Sequence, residues 1–458
     1  MSSIQSVHSA LSGLMAARKR MEVTSHNIAN ATTKGYSRQQ VAQVAAGGGI
    51  VPRVFTSSPV EAGGVITIGV ERFTDALLRN RMNVASDASG QADAASKFMS
   101  RLEGSMAEPS DSGLSSQLGA FWDAWGALSV SPDSLASRQQ VLDQAELVTY
   151  TFHRADTEMA DTLSFAGSEL SQAAVEVNDL SNQVANLNAA VVAASPGSSE
   201  RSDMLDQRDR IVERLSYLVG AQQTERTDGQ VAVYVGGRLL VDNATVSKVS
   251  STSNQMTWLD TGSQVGATGY VGSLHTLVAS TIPNFRTKLD AVAAQLVSAV
   301  NALHGTGADT SGSTGRIFFN PAAVTAASIA LSTDVVNGVA GHPERLAAAS
   351  AAGGVFDGSN ASSIGILADA LGGVDATYEG FLAELGVTTK SARSKADAQT
   401  LVLSSAQSDL NSISQVNMDD ELADLMAAQR AYQASARVVT AVDEMLQTLI
   451  NNFGRVGA

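Results

Sequence analysis

Residues 417–453 read NMDDELADLMAAQRAYQASARVVTAVDEMLQTLINNF. Leu422, Leu425, Gln429, Tyr432, Ala436, Val439, Asp443, Leu446, Ile450 and Phe453 fall at alternating steps of three and four. This is the spacing of a coiled-coil seam, held over about four and a half heptads. Asn417 stands where a helix N-cap would, and Asp419, Asp420 and Glu421 suit the positive end of the helix dipole. Alone, such a helix buries nothing, so its seam demands a partner.

A matching stripe lies at the other end of the chain. Ile4, Val7, Leu11, Leu14, Arg18, Met21, Ser25 and Ile28 repeat the spacing and stop at Asn30-Ala31-Thr32-Thr33-Lys34-Gly35. That run holds poor helix formers and ends in a glycine suited to positive φ. Residues 1–40 hold five Lys/Arg and one Glu, whereas residues 417–458 hold three Arg and six Asp/Glu. Two stripes of one type and opposite charge are natural partners. The competing reading is two unrelated amphipathic helices docked on a common core.

Between the ends the pattern is mostly helical. Extended chain is expected at 36–44, at 50–55 beyond Gly47-Gly48-Gly49, and around Ile66, Ile68 and Val70. Helix is expected from about Phe73 to Met106. A further helical stripe runs from Ser134 to Ala194; its ~60 residues would span roughly 90 Å, so it should break once or belong to an elongated bundle. A helix from Arg201 to Leu218 closes at Gly220. The period then changes to two: Val231, Val233 and Val235, a Gly236-Gly237 hairpin signal, then Leu239 and Val241. Helix returns at Pro283–Leu303, with Phe285, Leu289, Val292, Leu296 and Val300 on one face, and from about Ala392 toward Ser414. Residues 305–316 read as loop and Ser328 to Leu331 as a short strand. The fold class is mainly α with a small β insertion, an elongated helical bundle whose terminal helices form a coiled-coil-like pair. Three domains are expected: 1–35 with 415–458 as a terminal helical assembly domain, 36–220 with 280–414 as an elongated mainly helical domain, and 221–279 as a small β domain.

Composition narrows the function. The 458 residues are 44% hydrophobic but only 5% aromatic, a set better suited to Ala-rich helix seams than to a large compact core. A net charge of −15 repels phosphate, which disfavours nucleic acid and anionic membrane. With no cysteine there are no disulfides, thiolate nucleophiles or Cys-ligated metals. Arg18, Lys19 and Arg20 follow spaced apolar residues, unlike a Sec signal, and no run approaches the ~18 apolar residues of a membrane span. A cytoplasmic protein and one exported by another route both stay open.

No catalytic, cofactor or metal constellation emerges. The six histidines, His8, His26, His153, His275, His304 and His342, form no helical metal pair and are expected at the surface or at caps. Phosphate loops, dinucleotide fingerprints and nucleophile elbows are missing from the sequence. Asp206 and Asp209 share a helix with Arg201, Arg208, Arg210 and Arg214 and read as a solvated salt-bridge face. Met418 to Glu421 reads as helix capping rather than a cation site. The chain therefore reads as a structural subunit, not an enzyme.

Three segments carry a resemblance to a known family. Ser25-His26-Asn27-Ile28-Ala29-Asn30-Ala31-Thr32-Thr33-Lys34-Gly35-Tyr36-Ser37-Arg38-Gln39 resembles the N-terminal signature of bacterial flagellar axial proteins, which comprise rod, hook and hook-associated subunits. Ser414 to Glu421, Gln429 to Val439 and Met445 to Asn451 resemble the C-terminal helix of that group. Asp203-Met204-Leu205-Asp206-Gln207-Arg208-Asp209-Arg210-Ile211-Val212-Glu213-Arg214-Leu215-Ser216 is similar to a segment of its hook-associated members at the hook-filament junction. The resemblance implies an extracellular structural subunit joining hook to filament, needed for filament assembly and motility. It implies export through the flagellar type III channel, and as partners copies of itself, the hook protein, a second junction protein (FlgL-type) and an export chaperone (FlgN-type). The 305–345 region is short, where larger members carry an outer domain. On this reading Ile4, Leu11, Leu14, Met21 and Ile28 face Leu422, Leu425, Tyr432, Val439, Leu446 and Ile450 in the same or an adjacent subunit. Gly35 and Tyr36 set the exit from the first helix, and Asn27, Asn30 and Asn417 complete the interface. A hook or rod protein is the nearest alternative, and a secreted coiled-coil adhesin or scaffold a more distant one.

Overall fold

The computed structural model describes residues 2–46, 63–252, 254–337, 340–351, 354 and 356–453, without the side chains of 2–6, 340 and 449–453. The extended chain expected at 50–55 lies outside the described residues, as do the side chains of Ile4 and Ile450.

In chain order the elements are α1 Ser2–Asn30, β1 Gln39–Ala45, β2 Val65–Arg72, α2 Ala76–Ser105, α3 Leu114–Val130, α4 Leu135–Ala193 and α5 Ser199–Val219. Strands β3 Gln222–Glu225, β4 Val231–Val235, β5 Arg238–Asp242, β6 Thr245–Val246, β7 Val249–Thr252 and β8 Gln255–Trp258 follow. Then come α6 Gly269–Thr276, a π segment Leu277–Thr281, α7 Ile282–His304, four two-residue strands (β9 Gly307–Ala308, β10 Val336–Asn337, β11 Ala340–Gly341, β12 Ala349–Ser350), α8 Ser359–Gly365, α9 Val374–Ser414 and α10 Met418–Phe453. The fold is mainly α with a small β insertion.

Several expectations need correction. Of the two outcomes left open for the central stripe, a break is not the one observed: α4 is one helix of 59 residues. The 41-residue α9 starts well before Ala392. Ser328 to Leu331 is no strand; Leu331 makes a single bridge to Phe319. Helix α3 escaped the sequence reading altogether.

The chain divides into two compact units. One comprises 1–87, 176–248 and 401–458, the other 88–175 and 249–400. In the first, β1 and β2 form an antiparallel ribbon with a bulge between Ala42 and Gln43. Val41 and Val70 pair across it and pack on Val23 of α1. Helix α1 also packs along α10. Strands β3 to β6 make a four-stranded antiparallel sheet, with β4 buried along its length except at Tyr234. Asn188 of α4, itself buried, donates to the carbonyl of Val231 (2.9 Å) and accepts from its N–H (3.1 Å). Helix α5 ends at Gly220 as its sequence suggests, and at its start Ser198 accepts from the N–H of Arg201.

The second unit concentrates the few aromatics. Phe121 and Trp125 of α3 meet Phe318 and Phe319, and Trp125 and Phe318 meet the His304 ring. The expected stripe on α7 is buried throughout. Two histidines are core groups rather than surface or capping ones. His275 accepts from the N–H of Met256 at 2.9 Å. His304 accepts from the N–H of Ala347 through Nε2 (3.0 Å), which leaves Nδ1 to donate to the carbonyl of Arg316 (2.8 Å). Burial holds the His304 ring down at about 4.

Candidate assembly interface

Helices α1 and α10 run antiparallel. Asn27, on the last turn of α1, lies against Glu421 on the first turn of α10 (3.0 Å); fourteen residues away along each helix, a Cβ built on Gly13 would sit 3.1 Å from Ser435 Oγ. Small residues are buried on both helices, Ala10, Ala16 and Ala17 on α1 and Ala428 on α10, and Gly13 lets the helices approach closely at Ser435. Arg20 to Asp424 (3.6 Å) and Arg38 to Glu421 (2.6 Å) are the ion pairs that the opposite end charges suggested.

The buried face of α10 is turned relative to the expected seam. Leu425, Tyr432, Val439 and Leu446 are half-buried as half of that seam. The other half is taken by Glu421, Ala428, Ser435 and Val442, seven residues apart, while Leu422 stays 46% exposed. On α1, Leu11 is exposed, Leu14, Met21, Ile28 and Asn30 are half-buried, and Ala10, Ala16, Ala17, Val23, Thr24 and Asn27 are buried. Helix α1 is gripped on two sides, by α10 and by the β1–β2 ribbon, so its buried surface exceeds one heptad stripe.

The loop after α1 is tied to α5. Gly35, exposed at φ +74, is passed so closely by Arg210 that a Cβ there would lie 2.6 Å from its Cδ, and Arg210 donates to the carbonyl of Lys34 (2.9 Å). Only glycine meets both demands. Tyr36 donates its hydroxyl to Asn27 Oδ1 (2.8 Å). Burial, and after it the carboxylates of Asp203, Asp206 and Glu421, push that phenol well up, so it stays a donor. The N–H and Oγ of Ser37 both donate to Asp206 (2.8 Å each). Arg72 donates to Asp206 (2.6 Å) and to Asp209 (2.9 Å), which also pairs with Arg79. Burial works against the Arg72 guanidinium, but Asp209 and Asp206 outweigh it and raise its pKa. Asp203 joins Gln39 (2.8 Å) and His26 (3.1 Å).

This overturns the solvated-face reading of α5. Asp206 is 3% exposed, and its partners come from β2 and the loop, not from its own helix. Arg208 is buried too, donating to the carbonyl of Gly229 (2.6 Å). Asn417 does cap α10, its Oδ1 accepting from the N–H of Asp419 (3.1 Å). Glu421 does more than suit the dipole: it is 1% exposed and turned inward. Among the described residues no cluster of three or more His, Asp or Glu could hold a metal ion, and no helix is long and apolar enough to cross a membrane.

The ribbon is seated by a close backbone approach. Val70 N–H donates to the carbonyl of Gly197 (2.7 Å), and a Cβ on Gly69 would fall 2.7 Å from Gly197 Cα. Gly69→Ala should therefore lift β2 from this loop and cost about 1–3 kcal/mol. Hydrogen exchange at the Val70 amide checks it; unchanged protection would contradict it.

Comparison with known proteins fits this arrangement. Residues 99–319 match the family model of the flagellar hook-associated protein FlgK helical domain. Residues 8–36 match that of flagella basal body rod proteins, and 408–452 that of the flagellar basal body rod FlgEFG protein C-terminal. The flagellar hook-associated protein 1 of Bacillus subtilis is 27% identical over 510 residues, with 99% of each chain covered. The chain is thus similar to the FlgK family of flagellar hook-associated proteins. The flagellar hook-associated protein 1 of Salmonella typhimurium is 27% identical over 338 residues, 69% of this chain and 59% of that protein's length. The hook junction protein FlgK of Burkholderia pseudomallei shares the fold, with a TM-score of 0.61 at 14% identity over 73% of this chain and 100% of that one. The rod-type matches at the two ends fall on α1 and α10, which the structure brings together; the family's helical-domain match spans α3 to α7.

Proposed function

We infer that the chain is a structural subunit of the bacterial flagellum that joins hook to filament. It supports filament assembly and motility and performs no catalysis. The observation that carries this reading is the match to the FlgK helical domain between two axial-type ends that close on each other. The terminal pair, residues 1–35 with 415–458, serves as the assembly domain; 36–220 with 280–414 forms the mainly helical body and 221–279 the β domain. Leu11, Met15, Leu422 and Met426 expose apolar surface on the pair, which suits contacts with neighbouring copies. The further partners are the hook protein, a FlgL-type second junction protein and a FlgN-type export chaperone. The subunit works outside the cell, exported by the flagellar type III route.

Deleting the gene tests the reading. Hooks without filaments, with flagellin shed into the medium, is the expected result. Loss of hooks would move the protein to the rod or hook, and normal filaments would refute the junction role. Leu446→Asp should leave the soluble subunit folded and block its incorporation, because a carboxylate in the α1–α10 contact has no partner. Wild-type motility and filament number in that strain would sink the assembly role of the pair.

A further inference from the structure

We propose that Asn27 and Glu421 form a lock that sets the register of α10 on α1 and couples docking of α10 to the order of the loop and strand that follow α1.

Apart from the partly exposed Arg20–Asp424 pair and the flanking, half-buried Leu425, Tyr432, Val439 and Leu446, the α1–α10 contact holds small groups that discriminate poorly between registers. Alanines, Gly13 and Ser435 would pack nearly as well after a slip along the axis. Glu421 would not. It is 1% exposed, with Oε1 met by Arg38 Nε (2.6 Å) and Oε2 by Asn27 Nδ2 (3.0 Å). A slip of one turn, about 5.4 Å, would carry this buried carboxylate away from both donors, and an unmatched buried charge is costly. A single polar position in an otherwise apolar seam is the means by which helix pairs commonly fix register.

The coupling follows from how fully Asn27 is used. Its Nδ2 donates to Glu421 and to the carbonyl of Gln39 (2.9 Å), and its Oδ1 accepts from the N–H of Gln39 (2.9 Å) and the hydroxyl of Tyr36 (2.8 Å). One carboxamide with every donor and acceptor engaged thus joins α10, the loop and the first residue of β1. Arg38 adds a second link, donating its N–H to the carbonyl of Ser414 (2.7 Å) just before α10. Whatever pulls Glu421 away frees the amide that orients Gln39.

The test uses the full chain in three forms: wild type, Asn27→Asp, and Asn27→Asp with Glu421→Gln. Each is made with Gly13→Cys and Ser435→Cys, which can cross-link only in the observed register, since the chain has no cysteine of its own. Asn27→Asp keeps the acceptor for the Gln39 amide but sets a carboxylate against Glu421. Cross-linking should fall roughly fivefold, and protection of the Gln39 amide from exchange roughly tenfold. In the double variant acid and amide have changed places, so a donor again faces a carboxylate; cross-linking and Gln39 protection should recover to at least about half of wild type. Wild-type cross-linking and protection in Asn27→Asp would overturn the proposal. So would a double variant no better than the single one, which would mean that position 27 matters only for its own helix.

Discussion

Asp206→Ala should destabilise the first unit by roughly 3–5 kcal/mol, the usual cost of removing one member of a buried ion pair. The loss leaves the Arg72 guanidinium with Asp209 alone and strips both Ser37 donors of their acceptor. All three tryptophans lie in the second unit, so their fluorescence should barely register the change. Amide exchange across α5 and β2 should accelerate strongly instead. Replacing both charges, Arg72→Met with Asp206→Leu, should recover more than half of the loss, because apolar groups of similar size leave no charge unpaired. A double variant as weak as the single one would show that Asp206 acts through Ser37 and not through Arg72.

Acid should weaken the second unit through His304. Its ring is neutral in the fold, with one nitrogen accepting and the other donating, and its pKa is pushed down from 6.5 to about 4. The unfolded chain takes up this proton below about pH 6.5, while the folded chain refuses it until about pH 4. Stability is therefore complete above pH 6.5 and drains away toward pH 4, by roughly 3 kcal/mol at about 1.4 kcal/mol per unit. Asp334, Arg316 and Arg138 also act on the ring, so the comparison is with His304→Gln, which cannot charge. Followed by tryptophan fluorescence in urea, the advantage of wild type over the variant should shrink by about that amount between pH 7 and pH 4. An advantage equal at both pH values would show that His304 is not the group responsible.

The sequence was most legible where structure is local. The end of α5 at Gly220, the α7 stripe, the β4–β5 hairpin and the helical character of each terminal segment all rest on residues within a few turns of one another, and spacing alone reveals them. It was least legible where a side chain's fate depends on distant chain. Asp206 looked solvated because its own helix offers arginines; its actual partners, Arg72 and Ser37, lie 134 and 169 residues away. Glu421 looked like a dipole charge because Asn27 is 394 residues distant. The seam of α10 was misplaced by one position along half its length, since choosing the largest apolar residues favours Leu422. The structure instead buries Glu421, Ala428 and Val442 and sets half-buried Ser435 against Gly13 of α1. The heptad spacing of Glu421, Ala428, Ser435 and Val442 was the signal that could have placed it. Helix α3 was missed because its contacts are aromatic and non-local, with Phe318, Phe319 and His304.

Asn27 and Asn188 treat strand backbone alike: each presents a helix carboxamide to both the N–H and the carbonyl of one residue, Gln39 in the first case and Val231 in the second. An unpaired strand margin is a template on which foreign chains can add and aggregate. Val231 lies on an inner strand, between β3 and β5, but Gln39 lies on the margin of the two-stranded β1–β2 ribbon, and there an incoming strand finds both hydrogen-bonding groups already taken. Lateral growth of the sheet is blocked there by a side chain plugged in from a helix, with no need for charge, proline or a covering loop.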